Sequence, residues 1–284
     1  MQKISNITST ATSDGLFTNG SVASGVSPTI LDAGWFNTVQ NELVNIVQSA
    51  GLTLDPTNDA QVLAAIKSMF NSGRLLGVKI FTSSGSYTPS AGTSSIIVEA
   101  VGGGGGGGGG YSTSSGQSAV GGGGGAGGYG KARFTSGFSS VAVTIGAGGT
   151  GGAPNSSTAG STGGTTSFGS LLVCGGGGGG TFCSNWASPI HTSSAPSGTV
   201  SGANICSYSA SAGPAGYYAN NGWLSGGGAS SPFGRGGIQV GSTQVGAAAT
   251  GYGSGGGGAS VSSANSGVAG GAGSAGMVIV WEYA

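Results

Sequence analysis

Charged side chains are scarce in this sequence, and they are nearly absent from its C-terminal two thirds. Lys and Arg together number seven, Asp and Glu together number seven, and the formal net charge is zero. After Glu99 the only charged residues are Lys131, Arg133, Arg235 and Glu282. This composition excludes a basic surface for nucleic acid. It also means that charge-rich solvation does not keep the C-terminal part of the chain extended.

Long apolar runs and cysteines are also scarce. No stretch of about 18 apolar residues exists, so we expect no transmembrane segment. The first ten residues, MQKISNITST, lack the apolar centre of a secretory signal, and we expect synthesis in the cytoplasm. The three cysteines, Cys174, Cys183 and Cys206, have no CxxC spacing. This favours reduced thiols, with a Cys183–Cys206 bridge inside one loop as the alternative.

Residue types that carry catalysis are missing or misplaced. His191 is the only histidine, and the cysteine spacings do not resemble a zinc site. Every aspartate lies at or before Asp59, which disfavours a Ser-His-Asp triad. Residues 125–131, GAGGYGK, match a phosphate-binding pattern, but Ala132 stands where Ser or Thr would hold Mg²⁺, and a strand is predicted next. We therefore expect no enzyme, metal or cofactor.

Residues 1–73 differ from the rest and are predicted to form a helical attachment or oligomerisation module. Apolar residues at three- and four-residue steps predict a first helix, with Thr29 and Asp32 as its start signal and Gly51 as its stop. A second helix follows, capped by Asn58. Two such helices bury little area alone, so we expect contacts with other copies or a partner. The candidates for these contacts are Trp35, Phe36, Val39, Leu43, Ile46, Ile66 and Phe70.

Residues 74–284 alternate between short β-type runs and glycine tracts. Val141, Val143 and Ile145 alternate with Ala and Thr, as expected for a half-buried strand. The first and last runs stand at the two ends of this segment, where pairing between them would close the domain. The predicted strands are residues 77–81, 95–101, 140–146, 170–174 and 276–283.

Glycine supplies 67 residues, including the unbroken tracts Gly102–Gly110 and Gly121–Gly125. Such tracts are usually flexible linkers, because glycine loses the most entropy on ordering. Here, however, the tracts recur, lack charged residues, and begin directly at predicted strand ends after Val101, Ile145 and Cys174. The alternative that we favour is a set of packed polyproline II-type helices, in which every N–H and C=O bonds laterally to a neighbour.

Several segments resemble bacteriophage tail fibres. The series FTSSGSYTPSAGTSSIIVEAVGGGGGGGGG, VAVTIGAGGTGG, GGTTSFGSLLVCGGGGGG and GGAGSAGMVIVWEY resembles their glycine-rich domain and is similar in kind to T-even-type adhesin tips. The helical segment PTILDAGWFNTVQNELVNIVQSAGLTLDPTNDAQVLAAI resembles a module of Mu-, P2- and lambda-like tail fibres. The resemblance implies polyglycine II helices beside a small β-sandwich, with variable loops displayed at one end.

Residues 181–222 depart from the glycine pattern and are rich in aromatic side chains. Rigid aromatics among small polar residues are typical of binding loops. The alternative is a small core under the loop, with Phe182 as its most buried ring. The candidate receptor-binding residues are Tyr111, Trp186, His191, Tyr208, Tyr217, Tyr218, Trp223, Phe233 and Arg235.

The sequence thus predicts a mixed fold, with a helical module (residues 1–73) followed by a β-sandwich-like sheet combined with a polyglycine II bundle (residues 74–284). The expected function is that of a virion tail fibre, a homotrimer in keeping with the resemblance. Its N-terminus would attach to a baseplate or fibre partner, and its loops would bind a bacterial outer-membrane protein or surface glycan. The alternatives are a structural glycine-rich protein without receptor binding, an ice-binding polyglycine II protein, and a secreted adhesive or matrix protein.

Overall fold

The computed structural model describes the whole chain except Met1, Ser72, Ser157, Trp186, Ser188, Pro189, Ser209, Asn220 and Asn221, and only the backbone of Asn71 and Ile190. The chain divides into two compact units, Met1–Arg74 and Leu75–Ala284. The predicted mixture of helix and strand is confirmed, because the described residues form two α-helices, two short 3₁₀-helices and fifteen strands.

The first unit contains the 3₁₀-helices Ile4–Asn6 and Val22–Ser24 and the α-helices α1 (Ala33–Ser49) and α2 (Gln61–Asn71), which contact each other. Asp32 is the N-cap of α1, and its Oδ1 accepts a 2.7 Å bond from the Gly34 N–H.

The start predicted at Thr29 was three residues early, because Asp32 caps the helix and Thr29 donates its hydroxyl to the Thr10 carbonyl instead. Gly51 has a positive φ of 72° and follows the last turn of α1, as predicted for a glycine stop. Before α2, the Asn58 side chain accepts a 2.9 Å bond from the Ala60 N–H, in the turn that precedes the first helical residue, Gln61. The predicted cap at Asn58 therefore lies one turn before the helix as the structure has it.

The second unit contains all fifteen strands. The predicted run 95–101 is a strand with the same bounds, and the other four predicted runs contain or overlap a strand. The strands are β1 (Leu75–Phe81), β2 (Gly85–Tyr87), β3 (Ser95–Val101), β4 (Ala119–Val120), β5 (Tyr129–Phe134), β6 (Val141–Thr144), β7 (Thr166–Phe168), β8 (Leu172–Cys174), β9 (Ile190–His191), β10 (Val200–Ser201), β11 (Cys206–Tyr208), β12 (Tyr217–Ala219), β13 (Gly222–Leu224), β14 (Ser260–Val261) and β15 (Met277–Tyr283).

Two antiparallel five-stranded sheets form a sandwich. Their strand orders are β1-β15-β3-β5-β11 and β10-β8-β7-β6-β2. Alternate residues of β3 and β15, such as Val98 and Val280, pack against Tyr87, Phe168 and Leu172 of the second sheet. The first and last strands pair over their whole length, which confirms that they close the domain.

Glu282 of β15 is a buried carboxylate that ties three parts of the sandwich together. It accepts bonds from the Tyr87 hydroxyl at 2.8 Å and from the Ser90 hydroxyl at 2.6 Å and N–H at 3.0 Å. Lys79 of β1 lies 3.1 Å from it, and the Glu282 side chain is only 1% exposed. Burial raises the pKa of Glu282, but these donors outweigh burial and hold the pKa at about 2.

The glycine tracts run on from the strands of the sandwich, and the nine-residue tract Gly102–Gly110 lies at their centre with every residue buried. Its N–H groups point in turn to three neighbouring antiparallel segments, so the pattern repeats every third residue. Residues 102, 105 and 108 donate to segment 122–128, residues 103 and 106 donate to segment 161–164, and residues 104, 107 and 110 donate to segment 268–274.

The carbonyls of the same tract accept bonds from three further segments, all parallel to it. Gly103 and Gly106 accept from segment 177–180, Gly105 and Gly108 from segment 256–259, and residues 104, 107 and 110 from segment 149–155. The central tract therefore bonds to six neighbours through its backbone alone.

Such close contact between backbones leaves no room for side chains. A Cβ added at any of residues 102–109 would lie under 3.0 Å from a backbone atom of another segment. At Gly106 the colliding group is the carbonyl of Thr150, which belongs to the lattice itself and cannot turn aside. The usual interpretation of glycine tracts as flexible linkers therefore does not apply to this tract, because its polar groups bond laterally to fixed partners.

We expect Gly106→Ala to lower the free energy of unfolding by at least about 2 kcal/mol, because the new methyl group must displace the Thr150 backbone. Gly85→Ala is the matched control, since nothing lies within 4 Å of the position of its Cβ. Denaturant unfolding of both variants measures the difference. Equal stabilities would show that the packing is looser than described.

The stability of the sandwich should depend on the ionisation of Glu282. Its pKa is lowered in the folded state from 4.5 to about 2, so its stabilisation is complete above pH 4.5 and is lost as the pH falls toward 2. Glu282→Gln should therefore be less stable than the natural protein near neutral pH, with a difference that shrinks across this acidic window. Thermal unfolding at several pH values tests this, and a constant difference would contradict it.

Candidate functional site

The second unit has two different ends. At the sandwich end, the central tract begins directly after β3 at Val101 and Gly102. At the other end, called here the loop end, the tracts stop near Gly110, which bridges to Cys183 and donates to Val268. The loop end consists of the described residues within segments 111–120, 153–159, 182–194, 215–225, 241–245 and 259–267 of the chain.

Hydrogen bonds join the segments of the loop end to one another. The Asn155 side chain accepts bonds from the Ser112 N–H at 2.6 Å and hydroxyl at 2.9 Å. The Asn185 amide donates to Gln117 at 3.1 Å, and the Thr113 N–H donates to the Asn265 carbonyl at 2.8 Å. Strands β4 and β14 pair across the same region. The loops therefore hold each other in place on a lattice that is itself fixed.

A three-stranded sheet of order β13-β12-β9 crosses the loop end. Tyr217 stands directly opposite His191 on one side and Leu224 on the other. Directly opposed residues share a face, so these three side chains form a row across the sheet, called here the tyrosine row. All three are exposed, Tyr217 by 57% and Leu224 by 42%.

The next residues along these strands point to the other face. Tyr218 is only 6% exposed, and its ring centroid lies 6.2 Å from that of the half-buried Trp223. Tyr218 is too buried to contact a receptor, so the prediction that it does is wrong. Trp223 is half-buried beside it, so only part of its ring is accessible to a ligand. Phe182 is only half-buried, so the expectation that it is the most buried ring is also wrong.

The remaining candidates do not form one surface. Tyr111 directly follows the central tract at the loop end, where it is half-buried, and Trp186 lies outside the described residues. Tyr208 pairs with Tyr129 on β5, and the Phe233 ring centroid lies 5.8 Å from that of Tyr129. Both belong to the sandwich end, as does exposed Arg235, whose carbonyl accepts from Thr250. The sequence placed them with the loop residues because it does not show where each tract turns.

A comparison with protein families identifies the second unit. Residues 82–283, more than half of the chain, match the family model of the glycine-rich domain. The chain belongs to this family. A comparison with curated proteins found no match. Among the described residues, neither helix is both long and apolar enough to cross a membrane.

Residues 125–131, which match a phosphate-binding pattern, do not lead into a helix as a true phosphate-binding loop does. Lys131 lies in β5, as the predicted strand required, 3.4 Å from the carboxylate of Glu99. Lys131 also lies over the ring of Trp281, 5.0 Å from its centroid. The Tyr129 hydroxyl donates to Glu99 at 2.6 Å, and burial together with this carboxylate raises the pKa of Tyr129. These polar groups satisfy one another on the outer face of the sheet.

The three cysteines of the glycine-rich domain are free thiols, so the alternative of a Cys183–Cys206 bridge is wrong. Cys183 is buried at the loop end, whereas Cys206 is exposed on β11 beside Lys131. Burial raises the pKa of Cys174 to about 12 and also raises the pKa of Cys183, so both thiols are held in the protonated form at neutral pH.

Leu224 is a member of the tyrosine row that the sequence reasoning missed. The signal was present in YYANNGWL, because two runs of aromatic and apolar residues separated by a short segment of Asn and Gly are typical of a hairpin. The alternation along such a hairpin would have placed Tyr217 and Leu224 on one face and Tyr218 and Trp223 on the other.

The first unit has a set of partly exposed apolar side chains of its own. Val47 and Ala65 are buried within it, and Trp35 packs edge-to-face on Phe17 with centroids 4.9 Å apart. Trp35, Val39 and Ile46 are half-buried, which leaves only part of the predicted contact set available. The exposed members of that set are Phe36, Leu43, Ile66 and Phe70, the last by 74%.

We expect Tyr218→Ala to lower the free energy of unfolding of the glycine-rich domain by about 3 kcal/mol, because the buried ring leaves a cavity. Tyr217→Ala should change it by less than about 0.5 kcal/mol, since its ring is exposed. Denaturant unfolding compares these neighbouring tyrosines directly. Equal losses would place both rings in a core.

Proposed function

We propose that this protein is a tail fibre of a phage or phage-tail-like particle and that it attaches the particle to a bacterial surface. The observation that carries the proposal is the exposed tyrosine row, held on a sheet that itself rests on the glycine lattice. A binding site on a rigid support loses little entropy when it engages a ligand. The resemblance of the helical and glycine-rich segments to tail fibres supports the same function.

We infer that the glycine tracts form a polyglycine II bundle. The supporting observation is the three-residue period of the lateral hydrogen bonds, which is the period of a helix with three residues per turn. Nine residues in this conformation span about 28 Å, because each rises about 3.1 Å. The bundle would hold the loop end at that distance from the sandwich and leave few flexible segments for proteases.

The first unit serves in this proposal as the attachment and trimerisation module. Six exposed large apolar side chains on α1 and α2, among them Phe70, support it, because such residues are usually covered in an assembly. The chain enters the glycine-rich domain at Leu75, which pairs with Tyr283 at the edge of the sandwich farthest from the tracts. Several copies in a homotrimer would present several loop ends and would gain avidity from weak single sites.

The proposal is tested by mixing the fluorescently labelled full-length protein with a panel of bacterial strains and measuring adsorption by flow cytometry. We expect at least one strain to bind, and we expect a double variant, His191→Ala with Tyr217→Ala, to lower that binding by about tenfold or more. Tyr208→Ala is the control, because it removes another exposed tyrosine, 46% exposed against 57% for Tyr217, at the sandwich end.

Two results would contradict this function. Failure of the folded protein to adsorb to any strain would argue against attachment and would favour a purely structural role. Loss of binding with Tyr208→Ala that equals the loss with the double variant would move the binding surface away from the loop end.

A further inference from the structure

The loop end contains no Lys, Arg, Asp or Glu in any of its six segments. The charged residues of the glycine-rich domain all lie elsewhere. Lys79, Glu99, Lys131, Arg133 and Glu282 belong to sandwich strands, and the sixth, Arg235, lies at the sandwich end. The six segments of the loop end and the charged residues of this domain are therefore completely separate in the sequence.

An uncharged surface selects against charged ligands. A phosphate, a carboxylate or a charged peptide side chain would lose hydration on docking here and would find no opposite charge in exchange. The polar side chains here are instead amides and hydroxyls, such as Gln117, Asn185 and Thr243, each of which also makes a hydrogen bond within the loop end. These groups both donate and accept hydrogen bonds, as the hydroxyls of a neutral sugar do.

The tyrosine row has the shape of a small platform. Ala219 and Gly222 form the neighbouring pair on the same face of the hairpin, so no tall side chain stands beside Tyr217 on that side. The electron-rich face of an aromatic ring attracts the slightly positive C–H groups of an apolar surface. The C–H face of a pyranose ring matches one such ring in size, while its hydroxyls point outward to amides and water.

The apolar area available is small. Among the described residues of the loop end, the exposed large apolar side chains are Tyr217, Leu224 and Val245. A stable protein–protein contact buries about 800 Å² on each partner around a cluster of apolar anchors, which three side chains do not supply. One or two sugar rings need far less.

We propose that the loop end binds an uncharged glycan, with a neutral pyranose ring seated on His191, Tyr217 and Leu224. This inference rests on the proposed attachment function, because it names the class of ligand for the same surface. A protein receptor is the rival outcome of the test.

The test uses the full-length protein and a strain to which it adsorbs. The cells are treated with periodate, which oxidises vicinal diols of sugars, or with proteinase K, and are washed before mixing. We expect periodate to abolish adsorption and proteinase K to leave it unchanged. We also expect little change between about 50 mM and about 500 mM NaCl, since an uncharged contact is not screened by salt.

Two substitutions assign the binding to the ring. Tyr217→Ala should weaken adsorption by about tenfold or more. Tyr217→Phe should retain most of it, because the ring face stays and only the hydroxyl is lost. Free neutral oligosaccharide released from the same cells should compete with the natural protein.

Each contrary result overturns the inference in a distinguishable way. Loss of adsorption with proteinase K but not with periodate would assign a protein receptor and leave the attachment function standing. A steep decline with salt would show that the ligand is charged. Full adsorption by Tyr217→Ala would place the site elsewhere, and absence of adsorption to every strain would remove the attachment function itself.

Discussion

The lateral hydrogen bond between glycine backbones is the interaction on which the second unit depends. The backbone hydrogen bonds described for the tract Gly102–Gly110 run to other segments, so no tract is stable without the others. Glycine is required at residues 102–109 because a Cβ would meet a backbone atom of another segment. The entropy lost in ordering so much glycine is large. The paired strands of the sandwich offset part of it by fixing where several tracts begin.

Five of the fifteen strand positions could be predicted from the sequence, because apolar runs mark them, whereas strands of two or three residues, such as β4 and β7, are too short to show a pattern. Run 95–101 and the pairing of the first and last strands are examples. The six-neighbour bonding of the central tract could not be predicted, because all glycines in a tract look alike and only the turns set which segments meet. The helix start at Asp32 was missed by three residues, since two capping residues stand close together and only geometry decides between them.

The exposed aromatic residues of the candidate site could be predicted as a class, but the sequence did not show which of them share a surface. Aromatic side chains between residues 181 and 223 did mark a special region, yet Tyr217 is exposed and Tyr218 is buried. That difference follows from strand alternation in a hairpin, which the sequence reasoning did not apply. Phe233 and Arg235 were grouped with them by proximity in sequence, although a tract carries the chain back to the sandwich before it reaches them.

The pairing of Leu75 with Tyr283 places the entry and the exit of the glycine-rich domain side by side. A domain whose first and last strands lie next to each other can be replaced as one continuous segment with little change to the rest of a protein. The loops connect glycine tracts that contact one another through their backbones. A change of loop sequence therefore does not require the tracts to repack. Recombination can therefore act on two scales: it can replace the whole glycine-rich domain, or it can change one loop while the glycine tracts stay the same.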